Sequence, residues 1–149
     1  MARPTLTVPT PSTAALLDRA IAYTTGSLNL VTPAALRRPT PCAAWTLADL
    51  LAHMNDSFQA LYEAATHGHI PAPASSKVVG TGAGGLRGAA CATLGAWAGA
   101  VRSAVVSVGG LPLAAEVVAG VGAVEVTLHG WDVAQACGQP RPMSLIHIL

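Results

Sequence analysis

The stretch that most constrains this 149-residue chain lies at 114–137, where the residues predict one long helix ended by Gly138 and Pro140. A helical step of about 100° per residue places Glu125, His129 and Asp132 on one face. Aliphatic residues flank this stripe on both sides: Val121, Val124 and Leu128 on one, Val126 and Val133 on the other. We therefore expect the stripe to face the interior or a cleft. A carboxylate and an imidazole there need a partner, and a divalent metal ion is one.

Three further amphipathic helices are predicted from the spacing of apolar residues. The first begins after a serine N-cap and the second after a Thr/Asp capping box, while the third ends at a Gly-Gly pair. Four helices and no convincing strand predict an all-α fold, a four-helix bundle. The first helix is predicted at about 13–31, after Ser12, and the second at about 46–66, with Thr46 and Asp49 in its capping box. The third has an apolar face from Leu94 to Val108, before Gly109-Gly110.

Two connections separate the predicted helices. Residues 32–45 contain three prolines and are interpreted as an ordered loop, whose Trp45 ring is expected to cover the end of the core. Residues 67–88 are rich in Gly, Pro, Ala and Ser and predict a mobile surface connection, with His67 and His69 in solvent. The glycines at 80–85 lack the Lys-Ser/Thr of a phosphate-binding loop, so we expect none here.

Composition narrows the classes of function. Only 10% of the residues are charged and the net charge is +1, so no basic surface for nucleic acid is expected. Charged residues divide the apolar second half into runs shorter than the roughly 20 residues of a membrane span.

We expect a cytoplasmic protein with one bundle at 13–138. Residues 1–12 are interpreted as a flexible Pro/Thr-rich tail rather than a signal peptide. Residues 139–149 form a second tail, which has the character of non-native sequence from about residue 143.

The three cysteines, Cys42, Cys91 and Cys137, are odd in number and far apart. That pattern suits neither a disulfide framework nor a CxxC metal site. We expect all three to be reduced, mostly buried and without a functional role.

His53 lies on the second predicted helix, away from its apolar face and on a stripe of small residues that leaves room around the imidazole. With Glu125 and His129 it supplies three ligands and leaves a fourth position for water or substrate, as in catalytic zinc sites. Spacing alone leaves alternatives open. The Glu/His pair is also typical of a solvated or mutually hydrogen-bonded pair, and His53 of an ordinary helix histidine. Asp132 either fixes the tautomer of an imidazole or serves as a capping or surface residue.

Two motifs carry a resemblance to a known family. Pro39-Thr-Pro-Cys-Ala-Ala-Trp-Thr-Leu-Ala-Asp-Leu-Leu-Ala-His53 and Glu125-Val-Thr-Leu-His-Gly-Trp-Asp-Val-Ala134 resemble the DinB-like metal-binding bundles of the mycothiol-dependent maleylpyruvate isomerase group. The resemblance covers roughly residues 13–138. It implies that His53, Glu125 and His129 bind a divalent metal, commonly zinc. Family members usually continue well past the second motif, so the bundle is expected to be truncated at its C-terminus.

The same resemblance implies a metal-dependent thiol transferase or isomerase. Its cofactors would be a divalent metal, zinc above all, and mycothiol or a similar low-molecular-weight thiol, and its substrate a small electrophile. It identifies no catalytic residue and no thiol-binding residue. Two other classes remain open: a non-catalytic metal-binding bundle that acts as a sensor or interaction module, and a truncated fragment without function.

Overall fold

The computed structural model describes residues 11–42, 44–72, 82–99 and 104–143. Four α-helices make up most of this part of the chain, and a small three-stranded sheet lies beside them. The predicted all-α four-helix bundle is therefore confirmed, with the sheet as an addition. The helices are α1 (Thr13–Leu28), α2 (Leu47–His67), α3 (Ala83–Ala98) and α4 (Ala115–Ala136). A 3₁₀-helix spans Pro33–Arg37, and the strands are β1 (His69–Ile70), β2 (Val105–Val108) and β3 (Leu111–Ala114).

The predicted N-caps are present. Ser12 Oγ accepts the backbone N–H of Ala15 at 3.2 Å, so α1 begins where expected. Thr46 and Asp49 form the reciprocal capping box, with Asp49 N–H donating to Thr46 Oγ1 at 3.3 Å and Thr46 N–H donating to Asp49 Oδ2 at 3.0 Å. α1 ends at Leu28, three residues before the predicted boundary at 31.

α4 packs against both α1 and α2, and α3 also packs against α1 and α2. The α1–α4 contact is close because Gly130 faces Thr24, whose Oγ1 donates to Val126 O at 2.7 Å. Between α2 and α3, Trp97 Nε1 donates to Leu61 O at 3.0 Å. The largest fully buried apolar side chains of this core are Phe58, Leu17, Leu28, Leu47, Leu50, Met54, Leu86, Val106 and Val133.

The prediction of a third helix reaching Val108, with no strand, is wrong. α3 ends at Ala98, and β2 and β3 form an antiparallel hairpin in which Val108 pairs with Leu111. Gly109 and Gly110 both have positive φ, +55° and +89°, as a two-residue hairpin turn requires. The β-branched run before this Gly-Gly pair is a strand signal, and it outweighs the helical spacing of the valines.

The two predicted connections also differ from expectation. Trp45 is 37% exposed and does not cover the end of the core. Part of the stretch at 67–88 is regular: β1 pairs in parallel with β2, and α3 already begins at Ala83. Most of the glycines at 80–85 therefore lie at the start of a helix, and residues 73–81 lie outside the described part of the chain.

Within the described ranges, every helix is too short or too polar to cross a membrane. Residues 1–10 and 144–149, including His147, lie outside these ranges, so the predicted tails and domain bounds stay predictions.

Candidate functional site

The three residues predicted to bind a metal meet in a cleft between α2 and α4. His53 Nε2 lies 2.9 Å from Glu125 Oε1, and His129 Nε2 lies 3.4 Å from the same oxygen. One donor atom from each residue falls within 4.8 Å of the other two. His129 is the most enclosed, with 15% of its side chain exposed against 38% for His53 and Glu125. The two imidazoles and the carboxylate thus share one small volume that opens to solvent.

Glu125 is held as a carboxylate by its neighbours. Burial is the largest single influence and opposes ionisation, but the hydrogen bond with His53, the attraction of His129 and the hydrogen bond from Ser57 together outweigh it. The net effect lowers the pKa of Glu125 below its ordinary value. Ser57 Oγ donates to Glu125 Oε1 at 3.1 Å, so one oxygen serves as the common acceptor of the cleft.

A second group of polar side chains lies behind His129. Asp132 is only 7% exposed, and its Oδ2 lies 3.1 Å from His129 Nδ1. Cys42 Sγ donates to the same Asp132 oxygen at 3.2 Å and lies 4.0 Å from His129 Nδ1. Burial, the hydrogen bond with Asp132 and the nearby carboxylates raise the pKa of the Cys42 thiol to about 11. The thiol is therefore a donor at neutral pH and not a nucleophile.

The contact with Asp132 decides which nitrogen of the His129 ring carries the proton. An ionised carboxylate only accepts hydrogen bonds, so the contact with Asp132 requires the proton of His129 on Nδ1. The lone pair on Nε2 then faces the Glu125 carboxylate at 3.4 Å. A lone pair and a carboxylate repel each other unless a cation, either a second ring proton or a metal ion, lies between them. Of the two roles left open for Asp132, the structure supports control of the His129 tautomer.

The α4 stripe faces a cleft, one of the two surroundings expected for it, and its two flanks differ in burial. Val126 and Val133 are buried, but Val121, Val124 and Leu128 are 65%, 59% and 48% exposed. α1 and α2 cover only part of the circumference of α4, and the stripe lies at the margin of the covered part. The cleft is consequently accessible from solvent.

Trp45 belongs to this cleft rather than to the core. Its ring centroid lies 4.9 Å from that of His53, at an interplanar angle of 55°. Ala44, just before it, has a φ of +70°, a left-handed conformation that turns the chain ahead of α2. Trp45 therefore packs beside the imidazole of His53 and limits its orientation.

The cysteine predictions are partly wrong. All three are free thiols, but Cys91 is exposed and Cys42 and Cys137 are half-buried, so none is a core residue. Cys42 contacts Asp132 and His129, which the sequence did not predict. Its place in the same motif as His53 was the available signal. His67 and His69 are both exposed, as predicted.

The fold and the cleft define a class: a four-helix bundle with a His–Glu–His cluster between its second and fourth helices. Residues 17–84 match the family model of the mycothiol maleylpyruvate isomerase N-terminal domain. This match fits the DinB-like mycothiol isomerase group, so the resemblance is confirmed over the matched residues. It includes the first motif and His53, whereas Glu125 and His129 lie beyond it. Comparisons with curated proteins and with solved structures give no significant match.

Proposed function

We propose that His53, Glu125 and His129 bind one divalent metal ion, zinc in the first instance. The observation that carries this proposal is the convergence of two imidazole nitrogens on one carboxylate oxygen, with Asp132 holding the other nitrogen of His129. Two donors about 2.1 Å from one ion lie about 3.4 Å apart at tetrahedral angles and about 3.0 Å apart at octahedral angles. The separations of 3.4 Å and 2.9 Å between the two imidazole nitrogens and Glu125 Oε1 lie close to this range.

We further propose that the protein is a metal-dependent thiol transferase or isomerase that uses mycothiol or a similar thiol. The family match over residues 17–84 supports this assignment. His53, Glu125 and His129 would hold the ion and leave one position open, where the ion would lower the pKa of a bound thiol. In an isomerisation the thiol sulfur would bond to one carbon of a double bond conjugated to a carbonyl, and the π electron pair would move onto the carbonyl. After rotation about the former double bond, return of this pair would re-form the double bond and expel the thiolate.

The residues of the chain have separate tasks in this scheme. Glu125 is the only anionic member of the triad, so it sets the charge of the site as well as its affinity for the ion. Asp132 keeps the His129 lone pair directed into the cleft. Cys42 donates its thiol hydrogen to Asp132, so it supports the residue that orients His129.

Metal binding is tested first, on the full chain titrated with zinc. We expect about one ion per chain, with N and O donors at about 2.0–2.2 Å in X-ray absorption. His129→Ala should abolish binding and leave the helical circular dichroism intact. His67→Ala is the matched control, because His67 is an exposed helical histidine outside the cleft. Equal zinc content in the two variants would show that the ligands are misassigned.

Turnover is tested next, with the zinc-loaded protein, mycothiol or glutathione, and a panel of small electrophiles. We expect a thiol-dependent rate that is lost on chelation and in Glu125→Ala. If the protein binds zinc but the reaction is no faster than with free zinc and thiol, the enzyme proposal fails. The alternative, a non-catalytic metal-binding module, then takes its place.

A further inference from the structure

Cys42, His129 and Asp132 form a second set of potential metal ligands, behind the cleft. Cys42 Sγ lies 3.2 Å from Asp132 Oδ2, His129 Nδ1 lies 3.1 Å from the same oxygen, and Sγ lies 4.0 Å from Nδ1. In the described part of the chain, this set shares only His129 with the triad of the cleft. The two sets use opposite nitrogens of the His129 ring, Nδ1 here and Nε2 in the cleft.

The triangle formed by these three donor atoms has the size of a metal coordination shell. The point equidistant from them lies about 2.0 Å from each, whereas zinc binds N and O donors at about 2.0–2.2 Å and thiolate sulfur at about 2.3 Å. An ion displaced slightly from the plane of the triangle therefore reaches all three donors. It takes the place of the two hydrogens that Asp132 Oδ2 now accepts.

The charges of this set suit a divalent ion that is enclosed by protein. Asp132 is 7% exposed and the His129 side chain 15%, so an ion bound here loses most of its water. A thiolate and a carboxylate together carry two negative charges, so the site with its ion is neutral and the cost of burial is reduced. In the His–Glu–His triad, by contrast, a divalent ion keeps one uncompensated positive charge.

The chain holds the three donors in position before an ion binds. The backbone oxygen of Cys42 accepts hydrogen bonds from Thr40 Oγ1 at 3.1 Å and from the N–H of Trp45 at 3.0 Å, which fixes the turn that carries the thiol. His129 and Asp132 are three residues apart on α4, so the helix sets their spacing. Donors that are already ordered lose little conformational freedom when they bind an ion.

The donor set also selects the kind of ion. A thiolate is a soft ligand, whereas two imidazoles and a carboxylate suit harder ions as well. Binding at Cys42 requires the thiol proton to leave for solvent, a cost that binding in the cleft does not carry. An ion with a strong preference for sulfur, such as Cd²⁺, offsets this cost, and zinc fills the cleft first.

We propose that Cys42 Sγ, His129 Nδ1 and Asp132 Oδ2 form a second metal site, which binds a thiophilic divalent cation. Coordination breaks the S–H bond of Cys42 and releases its proton to solvent, while the His129 proton moves from Nδ1 to Nε2. A neutral imidazole has one ring lone pair, so His129 then has none for an ion in the cleft. On the basis of the proposed function, a thiophilic cation inhibits the protein by taking His129 from the zinc triad.

The first measurement compares two variants that each keep one cysteine. Cys91→Ala/Cys137→Ala keeps Cys42, and Cys42→Ala/Cys137→Ala keeps Cys91, an exposed thiol. Both full-length variants are titrated with Cd²⁺ and followed by the thiolate-to-cadmium charge-transfer absorption, with circular dichroism as the check of folding. We expect the variant with Cys42 to bind Cd²⁺ at least tenfold more tightly. Equal affinities would overturn the proposal, because a lone thiol would then account for both.

The second measurement identifies the nitrogen that binds the ion. His53→Ala is added to the variant that keeps only Cys42, which removes a ligand of the cleft and leaves the second set complete. The His129 imidazole is followed by nitrogen NMR as Cd²⁺ is added. We expect coupling between cadmium and Nδ1, with the ring proton on Nε2. Coupling to Nε2, or no coupling to His129, would overturn the proposal.

The third measurement tests the link between the two sites. The variant that keeps only Cys42 is loaded with zinc and treated with Cd²⁺, beside a matched variant in which all three cysteines are alanine. We expect Cd²⁺ to release zinc at a concentration at least tenfold lower when Cys42 is present. Equal release from the two variants would overturn the inhibition, since Cd²⁺ would then replace zinc within the cleft.

The proposed function and the second site fail separately. Cadmium on Cys42 and Nδ1 in a chain that binds no zinc supports the second site and refutes the zinc triad. Zinc bound by N and O donors, together with equal Cd²⁺ affinities of the two single-cysteine variants, supports the triad and refutes the second site.

Discussion

Alanine substitution at the glycines of α4 measures how closely that helix approaches its neighbours. Ala in place of Gly in a helix interior contributes about 1 kcal/mol of stability through helix propensity, at every position alike. The positions differ only in what the new Cβ meets. At Gly120 the nearest atom is Thr13 Cγ2 at 3.8 Å, an ordinary contact. At Gly130 the Cβ would lie 3.0 Å from Thr24 Cα, a backbone atom that cannot rotate away.

The expected magnitudes follow from these distances. Gly120→Ala should raise the free energy of unfolding by up to about 1 kcal/mol. Gly130→Ala carries an overpacking cost of about 1–3 kcal/mol and disturbs the buried hydrogen bond from Thr24 to Val126, worth about 1 kcal/mol. After the propensity gain, Gly130→Ala should lower the free energy of unfolding by about 1–3 kcal/mol. The effect of Gly122→Ala on the free energy of unfolding should fall between these two, because the new Cβ would meet the flexible end of the Leu61 side chain at 2.5 Å.

The assay is urea and thermal unfolding of the three variants with chelator present, so that metal binding does not add stability to the folded state. For a chain of this size about 3 °C in Tm corresponds to 1 kcal/mol, so Gly120→Ala and Gly130→Ala should differ by about 6–12 °C. Equal Tm values, or a more stable Gly130→Ala, would refute the close α1–α4 contact. That contact positions the segment of α4 that carries His129.

Three further predictions concern the site and its supports. Asp132→Asn should weaken zinc binding about 10-fold to 100-fold in a competition titration, because the His129 tautomer is no longer fixed by a carboxylate. Thr46→Ala should lower the free energy of unfolding by about 1 kcal/mol in urea, since α2 loses its capping box. Burial raises the pKa of Tyr23, an effect that Arg141 only partly offsets. The stability from this phenol is therefore complete below about pH 10 and is lost as the pH rises through the folded-state pKa, so unfolding midpoints at pH 8 and 11 should differ less in Tyr23→Phe.

Each of these predictions has a contrary outcome. Unchanged zinc affinity in Asp132→Asn would mean that Asp132 does not act through His129. An unaltered urea midpoint in Thr46→Ala would mean that the capping box contributes nothing measurable. An identical alkaline loss of stability in Tyr23→Phe and the unmodified chain would assign that loss to other groups.

The sequence predicted the helices that carry the cleft because their signals are local. The Ser12 and Thr46 caps lie within three residues of the backbone groups they satisfy, and the apolar spacing of α2 and α4 fixes which residues share a face. Glu125 and His129 are one turn apart on α4, so their proximity needs only a helix. The hairpin was not predicted because the valines that lead into it fit a helical spacing as well as a strand. Hydrogen bonding of this segment to β1 and β3 decides between the two conformations.

Only the tertiary structure decided what lies between the elements. His53 reaches Glu125, 72 residues away, because α2 and α4 pack side by side, and no local spacing specifies that contact. Cys42 likewise meets Asp132 across 90 residues. Which flank of the α4 stripe is buried also depended on packing, since Val121 and Val126 are equally apolar but only Val126 is buried. The sequence alone determined that α2 and α4 are helices and that Glu125 and His129 share a face, because both depend on short-range hydrogen bonding and side-chain periodicity. The assembled triad and the contact of Cys42 with Asp132 came from long-range packing.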